Sequence, residues 1–81
     1  MEKSLPDVGN NKQLELDDKY FPSTPYNGYS IVDGLNAISV DSSFAYRTQI
    51  AAKNGIDVYD GNPNQNLHML NLLKLGKLLR P

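Results

Sequence analysis

The side chains that could carry out chemistry are few in this chain and stand far apart in the sequence. Its 81 residues include no Cys, no Trp and a single His, His68. Metal ions and cofactors are held by several convergent donors, so a lone His is better explained as a partly exposed helical residue. The sequence therefore predicts no metal site and no cofactor.

Two pairs of polar residues resemble catalytic groups but are better explained by local structure. Asp57 and Asp60 lie three apart in a turn-rich loop, whereas the paired carboxylates of a glycosidase must flank a cleft. Ser42 and Ser43 lack the glycine-flanked turn that exposes a nucleophilic serine, and they are suited to capping a helix. No catalytic residue is predicted, and we expect that the chain is not an enzyme.

The five tyrosines are the better candidates for binding. A tyrosine offers a ring that stacks on a sugar and a hydroxyl that forms hydrogen bonds, but the same properties suit the edge of a core. Tyr26, Tyr29 and Tyr59 lie beside turn signals and are predicted to be the exposed ones. Structural burial remains the alternative for each of them.

Three segments have apolar residues at helical spacing between a capping residue and a stop signal. Ser30 and Asn62 are suited to the N-caps of the first and third segments, and a polar cluster over 41–43 precedes the second. The Asn-Gly pair at 54–55 and Gly76 supply stops in the left-handed conformation. The predicted helices span residues 31–38, 43–54 and 63–75.

The predicted fold class is a small, mainly α (α+β) domain of three short helices with short flanking strands. The strands are expected near residues 20–29, 57–59 and 77–80. The order of these elements is loosely similar to the layout of LysM modules, although the third helix does not fit that small fold. Fold-level likeness of this kind does not fix function.

Composition divides the chain near Asp18. Residues 1–18 are polar, include Pro6 and Gly9 and show no sustained period, which predicts a linker or a flexible N-terminal arm. Residues 19–81 are expected to form the domain. At this size only about 60% of the unfolded surface is buried, so stability must come from close packing or from a partner.

Charge and hydropathy limit the classes of partner. The formal net charge is −1, and nucleic-acid or membrane surfaces are bound by clustered Lys and Arg. We therefore expect neither nucleic acid nor membrane as a partner. No apolar run is long enough for a bilayer span, and the N-terminus has no signal-peptide pattern.

The third predicted helix has an unusually broad apolar face. Leu67, Leu70 and Leu73 form a stripe that is predicted to lie in the core. Leu72, Leu75 and the following Leu79 widen the apolar surface beyond what one small core can cover, which favours a homodimer or contact with another domain. A protein–protein assembly domain without glycan affinity is therefore the alternative function.

A family resemblance covers about residues 29–81. The chain has SIVDGLNAISVDSSFAYRTQIAAKNGI over 30–56, then Gln-Asn at 65–66 and MLNLLK at 69–74. This pattern resembles the C-terminal cell-wall-binding module of endolysins from phages of clostridia and bacilli, and of related autolysins. The most specific piece is VDSSF with the following YR and NGI. Pro63 with Asn64 departs from the family, which more often has small residues there.

The resemblance implies a non-catalytic module that targets a phage endolysin, a muramidase or amidase, to Gram-positive peptidoglycan or its attached polymers during host lysis. Such a protein is made in the cytoplasm of the bacterial host and acts at the cell wall. The implied partners are the wall glycan and either a second copy of the chain or a full-length lysin. Met1 is then an artificial boundary or the start of a separately made binding product.

In this interpretation Tyr rings stack on sugar faces while Asn, Asp and Arg side chains form hydrogen bonds in a shallow site. Arg47 has an alternative role, in which it pairs with Asp41 or caps a carbonyl. DNA binding through the second helix is disfavoured by the near-neutral charge. The predicted ligand-binding residues are Tyr26, Tyr29, Tyr46, Arg47, Asn54 and Tyr59.

Overall fold

The computed structural model describes residues 19–81, which contain three helices. Helix α1 spans Ile31–Asn36, α2 spans Phe44–Lys53 and α3 spans Pro63–Lys74. The predicted mainly α class is thereby confirmed. The arm predicted over 1–18 lies outside the described residues.

Each helix begins at a side-chain cap and two of them end before a glycine, as the sequence predicts. Ser30, Ser43 and Asn62 each accept a hydrogen bond from the backbone N–H three residues further on, at 3.1, 3.2 and 2.8 Å. These bonds satisfy donors that have no partner within the first helical turn. Gly55 and Gly76 follow α2 and α3 with φ angles of 87° and 72°, which glycine adopts without strain.

Helix α1 ends two residues earlier than the predicted 31–38, because a turn replaces its last two predicted residues. The backbone N–H groups of Ile38 and Val40 both donate to the carbonyl of Leu35, at 3.1 and 3.0 Å. Ser39, between them, has a left-handed φ of 61°. The chain therefore leaves the helix after Asn36, and Ile38 packs against the core from a turn.

Helices α1 and α3 meet at Gly34. A Cβ at this position would lie 2.7 Å from Cδ1 of Leu70, so a larger residue would push the two helices apart. The neighbour that approaches this glycine is therefore a side chain of α3. The hydroxyl of buried Thr24 donates to the carbonyl of Gly34 at 2.9 Å, which ties the segment before α1 to the same contact.

The core draws on all three helices and on the segments that flank them. Leu70 and Leu73 lie in it as predicted, but Leu67 is 40% exposed because it lies at the edge of the α3 face that Met69 shares with them. Within residues 19–81, none of the helices combines the length and apolarity needed to cross a membrane. The largest fully buried side chains are Phe21, Ile31, Leu35, Ile50, Met69, Leu70, Leu73 and Leu78.

The predicted strands near 20–29, 57–59 and 77–80 do not form, and among the described residues only an isolated antiparallel bridge joins Tyr20 to Leu79. The pairing stops there because the opposite segment turns into the end of α3, where the N–H groups of Gly76 and Lys77 donate to the carbonyls of Leu73 and Leu72 at 3.1 and 2.8 Å. Within residues 19–81, no strand lies beside residues 57–59. The side chain of Gln65 pairs with this backbone instead. It accepts a hydrogen bond from the N–H of Asp60 at 2.9 Å and donates one to the carbonyl of Val58 at 2.7 Å.

Candidate functional site

A shallow, open groove of about 380 Å³ lies between the start of α1 and the first half of α3. Residues 29–32 form one side, and Gly61, Pro63, Asn66 and Leu67 form the other. The lining is mostly apolar with a few hydroxyl and amide groups, and none of its side chains is charged. This arrangement is typical of small sites that orient a ligand with a few polar groups on an apolar floor.

Tyr29 forms the rim of this groove and is 86% exposed. The ammonium nitrogen of Lys74 lies 5.6 Å from the centre of its ring and donates a hydrogen bond to the carbonyl of Gly28 at 2.7 Å. A cation above an exposed ring contributes about 0.5–1 kcal/mol. Lys74 therefore ties the turn that carries the exposed ring to α3.

Tyr26 supports the same turn from the protein side. Its hydroxyl accepts a hydrogen bond from the backbone N–H of Ser30 at 3.2 Å. A Cβ on Gly28 would overlap that hydroxyl, so the turn closes on Tyr26 only with glycine at this position. Tyr26 is half-buried, and the prediction that it is one of the exposed tyrosines is wrong.

A second cluster begins at Gly61, on the α3 side of the groove. Nη1 of Arg47 donates to the hydroxyl of Tyr59 at 2.8 Å, and this hydroxyl donates to Oδ1 of Asn66. Nδ2 of Asn66 in turn donates to the carbonyl of Gly61 at 3.0 Å. Tyr59 is only 9% exposed, so its predicted exposure is wrong: its hydroxyl links α2 to the wall of the groove.

Phe44 completes this second cluster. Its ring centre lies 5.4 Å from that of Tyr59 at an interplanar angle of 31°, and the guanidinium of Arg47 lies 5.6 and 5.9 Å from the two ring centres. Nε of Arg47 donates to the carbonyl of Ser42 at 3.0 Å, which is the carbonyl-capping alternative that the sequence left open. The carboxylate of Asp41 instead accepts a bond from a neighbouring backbone N–H at 2.9 Å.

The remaining two predicted residues contact the protein itself. The side-chain amide of Asn54 donates to the carbonyls of Ile50 and Leu79 at 2.8 and 3.0 Å. Tyr46 is half-buried against the core. Within the part of the chain that the structure describes, no group of three or more His, Asp or Glu side chains could hold a metal ion. The structure thus places Tyr26 against the turn that carries Tyr29 and joins Arg47 to Tyr59, and it leaves Asn54 and Tyr46 outside both clusters.

None of the predicted ligand-binding residues lies on the α3 side of the groove. Pro63, Leu67 and Lys74 are separated by four and seven residues, a spacing that places them along one flank of a helix. Asn66 borders the same flank. No signal in the sequence indicates that residues 29–32 pack beside this flank, because the two segments lie more than thirty residues apart.

Two known proteins resemble this chain over about two thirds of its length. One is the L-alanyl-D-glutamate peptidase of Listeria phage A118, 43% identical over 54 residues, which cover 67% of this chain and 19% of the relative. The other is an endolysin of Listeria phage A511, 38% identical over 55 residues, which cover 68% of this chain and 16% of the relative. The chain therefore spans less than a fifth of the length of either relative. No family profile matches the chain, and no solved structure matches it at a significant level.

The expectation that the chain is not an enzyme is wrong in the light of the first match. That relative is named for a peptidase activity, and the 54 matched residues are part of it. A scarcity of catalytic residue types in a short segment says little about the longer enzyme that contains a related segment. The named activity also differs from the muramidase or amidase that the family resemblance implies. What the two matches establish is that this chain contains a region related to the endolysins of Listeria phages.

Proposed function

We propose that this chain is the part of a phage endolysin that binds the Gram-positive cell wall and holds the lysin on its peptidoglycan or on attached polymers. The observation that carries the proposal is the match to two different lysins over only 19% and 16% of their lengths. A short segment common to two longer lysins is what a shared wall-binding part would produce. In this proposal residues 19–81 are the binding domain and residues 1–18 are the linker.

The groove supports the same proposal by its chemistry. Polysaccharides present rings with apolar faces and hydroxyl edges, and an exposed aromatic ring beside polar groups suits both. Tyr29 supplies such a ring at the rim, and Asn66 supplies an amide in the wall. Single contacts of this kind are weak, but a dense polymer offers many equivalent sites and so raises the effective concentration.

The proposal also concerns where the protein acts. A lysin of this kind is made in the host cytoplasm and reaches the wall at the end of infection, where it contributes to host lysis. Its partners are the wall glycan and the rest of the lysin. Leu75 is exposed at the end of α3 and offers a contact for a second copy of the chain or for the full-length lysin.

The test is sedimentation of the fluorescently labelled full chain with purified walls from Listeria, bacilli and clostridia. We expect the chain to sediment with the walls of at least one of these groups and to stay in solution with cellulose particles as a control. Retention in the supernatant with every wall would overturn the proposal. Release of wall peptides is measured in the same tubes, because one relative is named as a peptidase.

The assembly domain remains the second candidate, and the exposed Leu75 is the observation that favours it. Sedimentation velocity of the free chain separates the two candidates. A stable oligomer that binds no wall supports the assembly domain, whereas a monomer that binds walls supports the wall-binding proposal alone.

A further inference from the structure

We infer that the groove between residues 29–32 and α3 binds the uncharged sugar rings of the peptidoglycan glycan strand, with the Tyr29 ring as the surface on which a sugar stacks. This inference rests on the proposed wall binding. It goes further in two respects, because it names the ligand within the wall and places the site on the molecule. The alternative ligands in the wall are the anionic polymers attached to the glycan.

The charge of the groove selects between these two ligands. None of the lining residues is charged, whereas phosphate groups are bound by Arg or Lys side chains. Lys74 lies outside the lining, with its ammonium near the Tyr29 ring and bonded to the carbonyl of Gly28. Arg47 also lies outside the lining and donates to the hydroxyl of Tyr59 and to the carbonyl of Ser42. A neutral ring therefore fits the lining better than a polymer of phosphodiesters.

The Tyr29 ring is positioned so that a sugar can stack on it. Lys74 covers one of its faces at 5.6 Å, yet the side chain stays 86% exposed, which leaves the opposite face open to a ligand. The turn below it is fixed by the bonds from Lys74 to Gly28 and from Ser30 to Tyr26. A ring carried on a fixed turn loses less conformational entropy when it binds than one on a mobile turn. Lys74 and Tyr26 are therefore positioning residues for this site.

The polar groups of the groove are oriented and still have hydrogens to donate. Among the described residues, Nδ2 of Asn66 has Gly61 as its acceptor, and an amide nitrogen carries two hydrogens. Oγ of Ser30 accepts a bond from the N–H of Asp33, so its own hydrogen remains to donate. These donors suit the hydroxyl and acetamido oxygens of a glycan strand. Leu67 and Pro63 provide apolar surface for an acetamido methyl group.

The size of the groove agrees with a ligand of one or two rings. Its volume of about 380 Å³ lies at the lower end of the roughly 300–1,000 Å³ found for small-molecule sites. Because the groove is partly open to solvent, a ring within a longer strand can enter it. A polymer can thus be bound at any point along its chain.

The experiment compares binding of the full chain to intact walls and to the same walls after hydrofluoric acid has removed polymers attached by phosphodiesters. Wild type is measured beside Tyr29→Ala, Tyr29→Phe and the control Val58→Ser, which changes an exposed apolar residue outside the groove. We expect wild type to bind intact and stripped walls about equally. Tyr29→Ala should bind both about tenfold more weakly, equivalent to about 1.4 kcal/mol, while Tyr29→Phe and Val58→Ser bind as wild type. Circular dichroism of each variant verifies that it is folded.

The other outcomes separate this inference from the proposed function. Binding to intact walls that disappears after stripping overturns the inference and leaves the wall-binding proposal in place, because the attached polymer is then the ligand. Wild-type binding by folded Tyr29→Ala also overturns the inference alone. Absence of binding to any wall overturns both.

Discussion

The side-chain amide of Asn54 exchanges two hydrogen bonds with the backbone of Leu79. Its Nδ2 donates to the carbonyl at 3.0 Å, and its Oδ1 accepts from the N–H at 2.9 Å. This is the pattern that a paired residue of a neighbouring strand would offer. A single side chain thus closes the C-terminal segment onto the end of α2, which explains why a short segment can pack without a sheet.

Asn54→Ala is expected to destabilise the fold by roughly 2–3 kcal/mol, because the half-buried backbone groups of Leu79 lose their partners. Urea denaturation measures the change in the free energy of unfolding. Gln49→Ala, at an exposed position of the same helix, is the matched control and should stay within about 0.5 kcal/mol of wild type. If the two variants are equally stable, the pairing of Asn54 with Leu79 does not contribute as we argue.

Gly34→Ala tests the contact between α1 and α3. Alanine gains about 1 kcal/mol of helix propensity over glycine, but its Cβ would lie 2.7 Å from the fully buried Leu70. Overpacking of this kind costs about 1–3 kcal/mol, so we expect a net destabilisation of about 1 kcal/mol in thermal unfolding. In the background of Leu70→Val the same change should be less destabilising, since valine lacks the Cδ1 atom that clashes. A stabilised Gly34→Ala variant would contradict the close packing of the two helices.

Tyr59→Phe should destabilise the fold by about 1–2 kcal/mol, because it removes the hydroxyl that joins Arg47 to Asn66 and keeps the ring. A double-mutant cycle with Arg47→Met measures how much of this loss depends on the guanidinium. Tyr29→Phe removes an exposed hydroxyl instead and should leave the free energy of unfolding unchanged. Additive effects of Tyr59→Phe and Arg47→Met would show that the two side chains act independently.

Lys74→Met keeps the aliphatic stem of the side chain and removes its charge. We expect wall binding to weaken about threefold, and stability to fall by about 0.5–1 kcal/mol, because the turn at Gly28 and the Tyr29 ring lose their cation. Lys74→Arg should restore wall binding, since a guanidinium can also donate to the carbonyl and lie over the ring. The readout is the affinity for stripped walls, which a purely structural role of Lys74 would leave unchanged in the folded variant.

Salt should have little effect on wall binding. Between about 0.1 and 1 M NaCl the Debye length falls from roughly 10 to 3 Å, which weakens the attraction between charged partners. Because no charged side chain lines the groove, we expect the affinity for stripped walls to change less than about twofold. Labelled polylysine on intact walls is the control that should be released. Release of the chain at high salt would indicate an anionic ligand.

The starts of the helices could be predicted closely from the sequence. The caps accept hydrogen bonds from N–H groups only three residues away, at Ser30, Ser43 and Asn62. The stops depend only on the positive φ of Gly55 and Gly76 themselves. These effects are local, so the residue types alone specify them. The strand predicted near 20–29 does not form, because the segment opposite it bends into the end of α3, a contact that local residue types do not specify.

The exposure of the tyrosines depended on contacts between distant segments. Tyr29 and Tyr59 both lie beside turn signals, yet one is exposed and the other is buried by α2 and α3. Asn54 shows the same limit, because its role depends on a residue 25 positions away. By itself the sequence determined the caps, the glycine stops and the mainly α class. Which aromatic ring faces solvent and where the groove lies were decided only by the packing of the three helices, since burial is set by neighbours that the chain brings together in space.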